Sequence, residues 1–189
     1  MTSDQATFSF IRGSLALDFV GTVGRRASAK PVERLPDAVA LQQWLVAAGL
    51  IESGVPAPDS TIYADALRFR EAIARIGIAL VAAEPPAVED IAVINRAAAA
   101  STSSIPYLDA HDLTQRWLSA DPLAAALATI AVDAIHVFAT ERPRLTRCTL
   151  QGCGSLLLSR ARGGPRLWCS MATCGNRAKV AAFRARARS

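Results

Sequence analysis

The first 147 of the 189 residues contain no cysteine, and the whole chain contains only two histidines. Any cysteine chemistry is therefore confined to the carboxyl-terminal part. The segment Gly21-Thr22-Val23-Gly24 lacks both the Walker lysine and the dinucleotide spacing of phosphate-binding loops. Neither Gly-x-Ser-x-Gly nor His-Glu-x-x-His occurs. We therefore expect a binding protein and not an enzyme.

Long hydrophobic runs are also lacking. The longest, Leu123 to Phe138, contains Asp133 and His136 and is expected to be too short to span a bilayer. The polar start, Met1 to Thr7, has no secretory signal pattern. These features predict a cytoplasmic protein without a membrane partner, a compartment in which cysteines stay reduced.

Acidic residues are missing from the end of the chain. Residues 1–141 carry ten basic and sixteen acidic residues, a net charge of −6, whereas residues 142–189 carry eleven basic residues and none acidic, a net charge of +11. A four-thiolate zinc centre of formal charge −2 would need only part of this positive charge. The remainder indicates a polyanion as partner.

The four cysteines form two matched pairs. Four residues separate Cys148 from Cys153, and four separate Cys169 from Cys174. Pairs of this kind across a short span can converge on one tetrahedral Zn²⁺ in a closed structural site. Two disulfides, or four unrelated buried cysteines, are the alternatives. The spacing favours one structural Zn²⁺, whose binding would supply much of the folding free energy of this segment.

The residues around the cysteines predict a treble-clef finger. Leu156 to Leu158 and Arg166 to Trp168 would form a hairpin around Gly163-Gly164-Pro165, and a basic helix would start near Arg177. Val180, Phe183 and Ala187 would share its apolar face, and Phe183 and Trp168 are expected to be structural. The candidate nucleic-acid-binding residues are Arg162, Arg166, Asn176, Arg177, Lys179, Arg184, Arg186 and Arg188, with Lys179 and Arg186 widening the charged side of Arg177 and Arg184.

These residues carry a family resemblance. Cys-x4-Cys-Gly followed by Trp-Cys-Ser-Met-x-x-Cys-Gly-Asn-Arg-x-Lys resembles the CGNR zinc finger that ends proteins of the ABATE-domain family. Residues Gly13 to Thr22 resemble the opening motif of that family, with Gly21 where Asn is typical. Leu157, Ser159 and Leu167 also depart from the family pattern. The resemblance implies a zinc-dependent regulator of transcription.

The rest of the sequence predicts a mostly helical domain with a small β-sheet, an α+β fold over residues 1–141, followed by the finger over residues 142–189. Alanine enrichment and apolar spacing indicate helices, with Ser14, Asp37, Asp59 or Ser60, and Asp121 as capping residues. Phe8 to Ile11 alternates like a short strand. Ile105 to Asp109 and Leu113 to Ser119 are expected to pair as a hairpin.

Three functions fit this pattern. The first is a DNA-binding regulator, whose affinity would fall with salt at a log–log slope near −5 if about six phosphates are neutralised. The second is an RNA-binding protein, which aromatic stacking platforms would favour. The third is a ligand-binding protein or enzyme with a merely structural finger, using a pocket near Asp18, Trp44 or His136. For Asp18 the favoured explanation is structural, a carboxylate that accepts backbone donors or pairs with an arginine. A small-molecule effector would bind the first domain, and a weak homodimer would enlarge the small interface of one finger.

Overall fold

The computed structural model describes residues 8–100, 105–111, 113, 115–118, 120–159 and 166–186. Helices dominate, and the strands within the described ranges pair two by two, which confirms the expected α+β class. The elements before the cysteines are α1 (Leu15–Val20), β1 (Val23–Gly24), β2 (Val32–Glu33), α2 (Ala38–Ala47), α3 (Ser60–Val81), α4 (Val88–Ala99), β3 (Ile105–Leu108), β4 (Gln115–Leu118) and α5 (Pro122–Ala139).

Four of these helices begin where a short polar side chain accepts a hydrogen bond from a free backbone N–H. Ser14 caps α1, Asp37 caps α2, Asp59 caps α3 and Asp121 caps α5. Such caps satisfy donors that the first helical turn leaves unpaired. The predicted helix starts are therefore confirmed, and so is the antiparallel pairing of β3 with β4.

The core lies where α1, α3 and α5 meet. Phe19 of α1 contacts Trp44 of α2 and Phe69 of α3, with ring centroids 5.0 Å and 6.2 Å apart. Phe19, Trp44, Ile73 and Ile130 have no measurable exposure. Burial of these large side chains removes apolar surface from water and so stabilises the domain.

Helix α5 is long and apolar enough to cross a membrane by length and composition, with a mean hydropathy of 1.7 over 18 residues. The core helix of a globular domain meets the same criteria, and seven residues of α5 are buried among the described residues. The expectation that this segment is too short to span a bilayer is therefore wrong, although its length and composition do not distinguish a core helix from a membrane-spanning one.

A buried arginine attaches the β1–β2 ladder to α3. Arg70 is 3% exposed, and its two terminal nitrogens each lie 2.7 Å from a carboxylate oxygen of Glu33 on β2. Burial acts to raise the pKa of Glu33, but the hydrogen bonds and charge of Arg70 together with backbone hydrogen bonds from Leu35 and Arg34 outweigh it and hold that pKa below its usual value. The bidentate pair compensates the charge of the buried guanidinium, while the side chain of Glu33 is 38% exposed.

Phe8 to Ile11 is not a strand, which corrects that expectation. The backbone N–H groups of Ile11 and Arg12 donate to the carboxylate of Asp18, at 3.0 Å and 2.9 Å, instead of to a neighbouring strand. The alternating pattern was therefore insufficient, because no strand within the described ranges pairs with this segment.

The carboxyl-terminal part starts with β5 (Leu145–Arg147), which pairs with β6 (Leu156–Leu158). A π-helical turn at Met171–Gly175 leads directly into α6 (Asn176–Arg186). The predicted partner of β6, Arg166 to Trp168, is not a strand, so that hairpin is wrong. Residues 160–165 lie outside the described residues, and the treble-clef connection stays a prediction. The short turn between β5 and β6 explains the observed pairing, because few residues separate the two strands.

Strand β6 belongs to two cores at once. Leu156 and Leu158 pack into the core of the helical domain, whereas Leu157 packs against the cysteines. The alternation follows from the period of two in a β-strand. Gly77 of α3 makes room for this contact, since a Cβ there would lie 2.5 Å from a terminal carbon of Leu156.

Replacing Leu156 by Ala should lower the free energy of unfolding of the helical domain by about 2–5 kcal/mol, because it leaves a cavity in the shared core. Val180→Ala is the control, since Val180 is 48% exposed and its loss should change stability by less than about 0.5 kcal/mol. Denaturant unfolding followed by tryptophan fluorescence measures both. Unchanged stability of Leu156→Ala would mean that β6 does not pack on the helices.

Candidate metal centre and nucleic-acid interface

The four cysteines are brought together by two short turns. Cys148 follows β5, and Cys153 lies in the turn before β6 between Gly152 and Gly154. Both glycines have positive φ, 76° and 67°, a conformation that side-chain-bearing residues adopt at a cost. Cys169 precedes the π-helical turn and Cys174 lies within it.

The Sγ atoms form a compact cluster. Cys153 and Cys169 are 3.7 Å apart, Cys169 and Cys174 are 3.4 Å apart, and Cys174 and Cys153 are 3.6 Å apart. With Cys148 included, all four sulfurs lie within 4.8 Å of one another. None is in a disulfide. A tetrahedron with metal–sulfur bonds of about 2.3 Å has sulfur–sulfur edges of about 3.8 Å. The cluster therefore has the dimensions of a four-thiolate metal site.

The thiols also have a chemical reason to need a cation. A hydrogen bond with Cys169, together with burial, raises the pKa of the Cys153 thiol, and burial raises that of Cys174 to about 11. Four thiolates this close repel one another unless a divalent cation lies between them. The donor set fits a metal with soft sulfur ligands, and Zn²⁺ is the usual occupant of such a closed site.

Two family profiles match the chain. The first, for the ABATE family, is described as "Putative stress-induced transcription regulator" and covers residues 13–141, more than half of the chain. The chain belongs to the ABATE family. A CGNR zinc-finger profile covers residues 144–187, which include all four cysteines. Both parts of the resemblance are thus confirmed. Comparison with curated proteins gives no match.

Arg166 of the CGNR finger, a predicted nucleic-acid contact, serves a different purpose. Its guanidinium donates to the carbonyl oxygens of Ile11 at 2.7 Å and Trp168 at 3.1 Å, and also to that of Cys169. These bonds connect the loop carrying Cys169 to the amino-terminal segment. We therefore leave Arg166 out of the interface.

Helix α6 projects from the CGNR finger with its side chains largely uncovered. Val180 is 48% exposed and Phe183 is 68% exposed, so the expectation that Phe183 is structural is wrong. Sequence spacing identified the apolar stripe correctly, but it could not show that no described part of the chain packs on it.

The cationic residues of α6 lie on both sides of that stripe. At 100° per residue, Arg177 and Arg184 fall on one flank, whereas Lys179 and Arg186 fall on the opposite flank. The sequence-based expectation that Lys179 and Arg186 widen the charged side of Arg177 and Arg184 is therefore wrong. The two residues form a second charged side. Within the described residues, none of the four is in an ion pair.

The remaining residues predicted to bind nucleic acid or a ligand lie in different environments. The side-chain amide of Asn176 donates to the carbonyl of Ala172 at 3.0 Å and so stabilises the start of α6. Arg162 and Arg188 lie outside the described residues. His136 is exposed on α5, with its Nδ1 2.9 Å from the hydroxyl of Thr140.

Asp18 and Trp44 line one cavity of about 480 Å³ that also reaches the cysteines, whereas His136 does not contribute to it. Trp44 is fully buried. Burial raises the pKa of Asp18, and hydrogen bonds from Arg12 oppose that rise in part. Asp18 accepts two backbone hydrogen bonds and pairs with Arg12, as its structural explanation requires.

Sequence reasoning assigned no role to Arg12. Its Nε donates to the hydroxyl of Ser155 in the CGNR finger at 3.0 Å, and its carbonyl accepts from the N–H of Leu158 at 2.8 Å. The available signal was the single acidic residue in the nearby apolar run, Asp18, which needed a buried cation.

Cys169→Ser should remove stoichiometric zinc binding, because a hydroxyl is a poor ligand in a thiolate set. Metal analysis after dialysis measures this loss, and Ser170→Ala is the control. Hydrogen exchange in the variant should rise over residues 166–186 more than over 145–158, since β5 and β6 remain packed on the helices. Stoichiometric zinc in Cys169→Ser would contradict the four-ligand site.

Proposed function

We propose that this protein is a zinc-dependent DNA-binding regulator of transcription, with α6 as the element that contacts the duplex. The observation that carries the proposal is the uncovered α6 itself, which has cations on both flanks of an apolar stripe. Membership of the ABATE family and the CGNR finger support a regulatory role.

The arrangement of α6 suits the major groove. The groove is about 12 Å wide, and an α-helix with side chains has a diameter of about 10–12 Å. A helix lying in the groove presents its two flanks to the two phosphate backbones. Arg177 and Arg184 would face one backbone, and Lys179 and Arg186 the other. Val180 and Phe183 would then face base edges, where apolar side chains can contact thymine methyl groups.

In this proposal the metal would fix the orientation of α6. Cys148, Cys153, Cys169 and Cys174 would hold Zn²⁺, which supplies four bonds that join the β5–β6 turn to the start of α6. Because β6 is anchored in the helical core, α6 would then have a defined direction relative to the whole domain. A four-thiolate site has no open position for activating water, which favours a binding role over a catalytic one.

Binding to duplex DNA should weaken with salt at a log–log slope near −4 if the four cations of α6 each neutralise one phosphate. Arg184→Ala combined with Arg186→Ala should reduce the magnitude of that slope by about 2, without loss of zinc. Fluorescence anisotropy across a salt series measures the slope.

The matched control is Arg68→Ala combined with Arg96→Ala, which removes two exposed arginines from the helical domain. This control should bind with the wild-type slope. An unchanged slope in the α6 variant would place the nucleic-acid surface elsewhere.

The exposed ring of Phe183 favours a second candidate, binding of single-stranded DNA or RNA. An aromatic ring between cations can stack on an unpaired base, and such contacts contribute about 1–3 kcal/mol per base. Phe183→Leu separates the two candidates, because leucine keeps apolar contact but cannot stack.

We expect the wild-type protein to bind duplex DNA more tightly than single strands of equal length. Phe183→Leu should leave duplex affinity within about threefold, which corresponds to about 0.6 kcal/mol. Competition between labelled duplex and single strands measures both. Preference for single strands, lost in Phe183→Leu, would establish the second candidate instead.

A further inference from the structure

The cavity between the helical domain and the CGNR finger has the dimensions of a small-molecule site. Its volume of about 480 Å³ lies within the range of about 300–1,000 Å³ typical of ligand pockets. One wall comes from the helical domain, including Asp18 and Trp44, and the other includes Cys153, Cys169 and Cys174. A ligand there would contact both parts of the protein.

Arginines dominate the charged lining of this cavity. Arg12, Arg25, Arg34 and Arg177 line it, and Asp18 is the one carboxylate among the described lining residues. Asp18 is already paired with Arg12. Across the described ranges, Arg25, Arg34 and Arg177 take part in no ion pair. Three guanidinium groups are therefore available to an anion, more than the formal charge of −2 on a four-thiolate zinc centre would offset.

Two glycines make room for the guanidinium groups in the wall. A Cβ at Gly21 would lie 2.0 Å from the central guanidinium carbon of Arg12. A Cβ at Gly24 would lie 2.4 Å from a terminal nitrogen of Arg34. A larger residue at Gly21 would displace the buried Arg12, whereas at Gly24 only the flexible end of Arg34 would have to move. The wall is thus shaped around Arg12.

The backbone of Arg25 is a second indication that this cavity is a ligand-binding site. Its φ of 53° lies in the left-handed region, which is unfavourable for a residue with a side chain. Residues held in such conformations cluster at ligand-binding positions, where the surrounding structure compensates for the strain. Arg25 follows Gly24 directly and lines the same cavity.

The remaining lining combines serines and threonines with apolar side chains, which include Phe8, Ile11, Val23 and Val32. We propose that this cavity binds a small organic anion, with a carboxylate or phosphate group held by Arg34, Arg25 and Arg177 and an apolar body against these side chains. Guanidinium groups bind both kinds of anion through paired N–H donors.

Occupancy would also act on the finger, a consequence that rests on the proposed DNA-binding function. Arg177 is the second residue of α6, and three metal ligands line the cavity. An anion that engages Arg177 removes it from phosphate contact and so weakens DNA binding. Coupling of this kind is reciprocal, so DNA would weaken anion binding by the same factor.

Binding of the anion can be tested without nucleic acid. Zinc-loaded full-length protein is titrated with phenyl phosphate and with benzoate at constant ionic strength, and binding is followed by calorimetry. Benzamide, the neutral counterpart of benzoate, is titrated in parallel. We expect saturable binding of at least one anion, at least about tenfold tighter than benzamide. The tighter of the two anions identifies the preferred acidic group.

Arg34→Gln should weaken anion binding by at least about tenfold, because it removes a charged pair of donors while keeping a polar side chain. Arg68→Gln is the matched control, since Arg68 is exposed on α3 and should leave binding unchanged. Zinc content measured in each variant verifies that the finger remains assembled.

Three results would overturn the proposal: saturation by neither anion, equal binding of benzamide, or wild-type anion binding by Arg34→Gln. A reduced salt slope for duplex DNA in Arg34→Gln, with anion binding unchanged, would assign these arginines to the nucleic-acid surface instead. If the wild-type protein binds the anion but not DNA, the proposed function is refuted and the anion site is not, because the titrations contain no nucleic acid.

Discussion

The buried pair between Arg12 and Asp18 is the constraint on which the arrangement of the two parts depends. Asp18 is held in α1, and it accepts hydrogen bonds from the backbone of Ile11 and Arg12. Arg12 in turn donates to Ser155 and accepts from Leu158, which places β6 beside α1. Burial of the carboxylate opposes its ionisation, and a buried pair contributes little net stability. Its removal is costly, at about 3–5 kcal/mol when one charge is left unpaired. The pair therefore specifies where the finger sits more than it stabilises the fold.

This constraint makes the finger a continuation of the helical domain and not a separate module on a tether. Leu156 and Leu158 fill the core of the helices while Leu157, between them, faces the cysteine sulfurs. Arg166 adds a bond from the second cysteine loop to the carbonyl of Ile11. The β5–β6 turn that carries Cys148 and Cys153 is thus fixed to the domain by the packing of β6. What the metal would then determine is the attachment of α6.

The proposed interface and the proposed anion site meet at Arg177, the second residue of α6. On one side this arginine belongs to the cationic flank of the helix, and on the other it lines the cavity between the two parts. A residue shared by two anion-binding surfaces gives a direct physical route for one ligand to affect the other. No large conformational change is needed, because both anions compete for the same guanidinium group.

The sequence alone determined the elements whose causes are local. Helix caps at Ser14, Asp37, Asp59 and Asp121, and the matched cysteine spacing, depend on residues a few positions apart, so they could be read directly. The pairing of β6 with β5, the exposure of Phe183 and the engagement of Arg166 were decided by the tertiary structure. Each depends on which surfaces distant segments cover, and neither periodicity nor composition contains that information. The cavity arises for the same reason, since its walls come from residues more than a hundred positions apart that meet only in the folded chain.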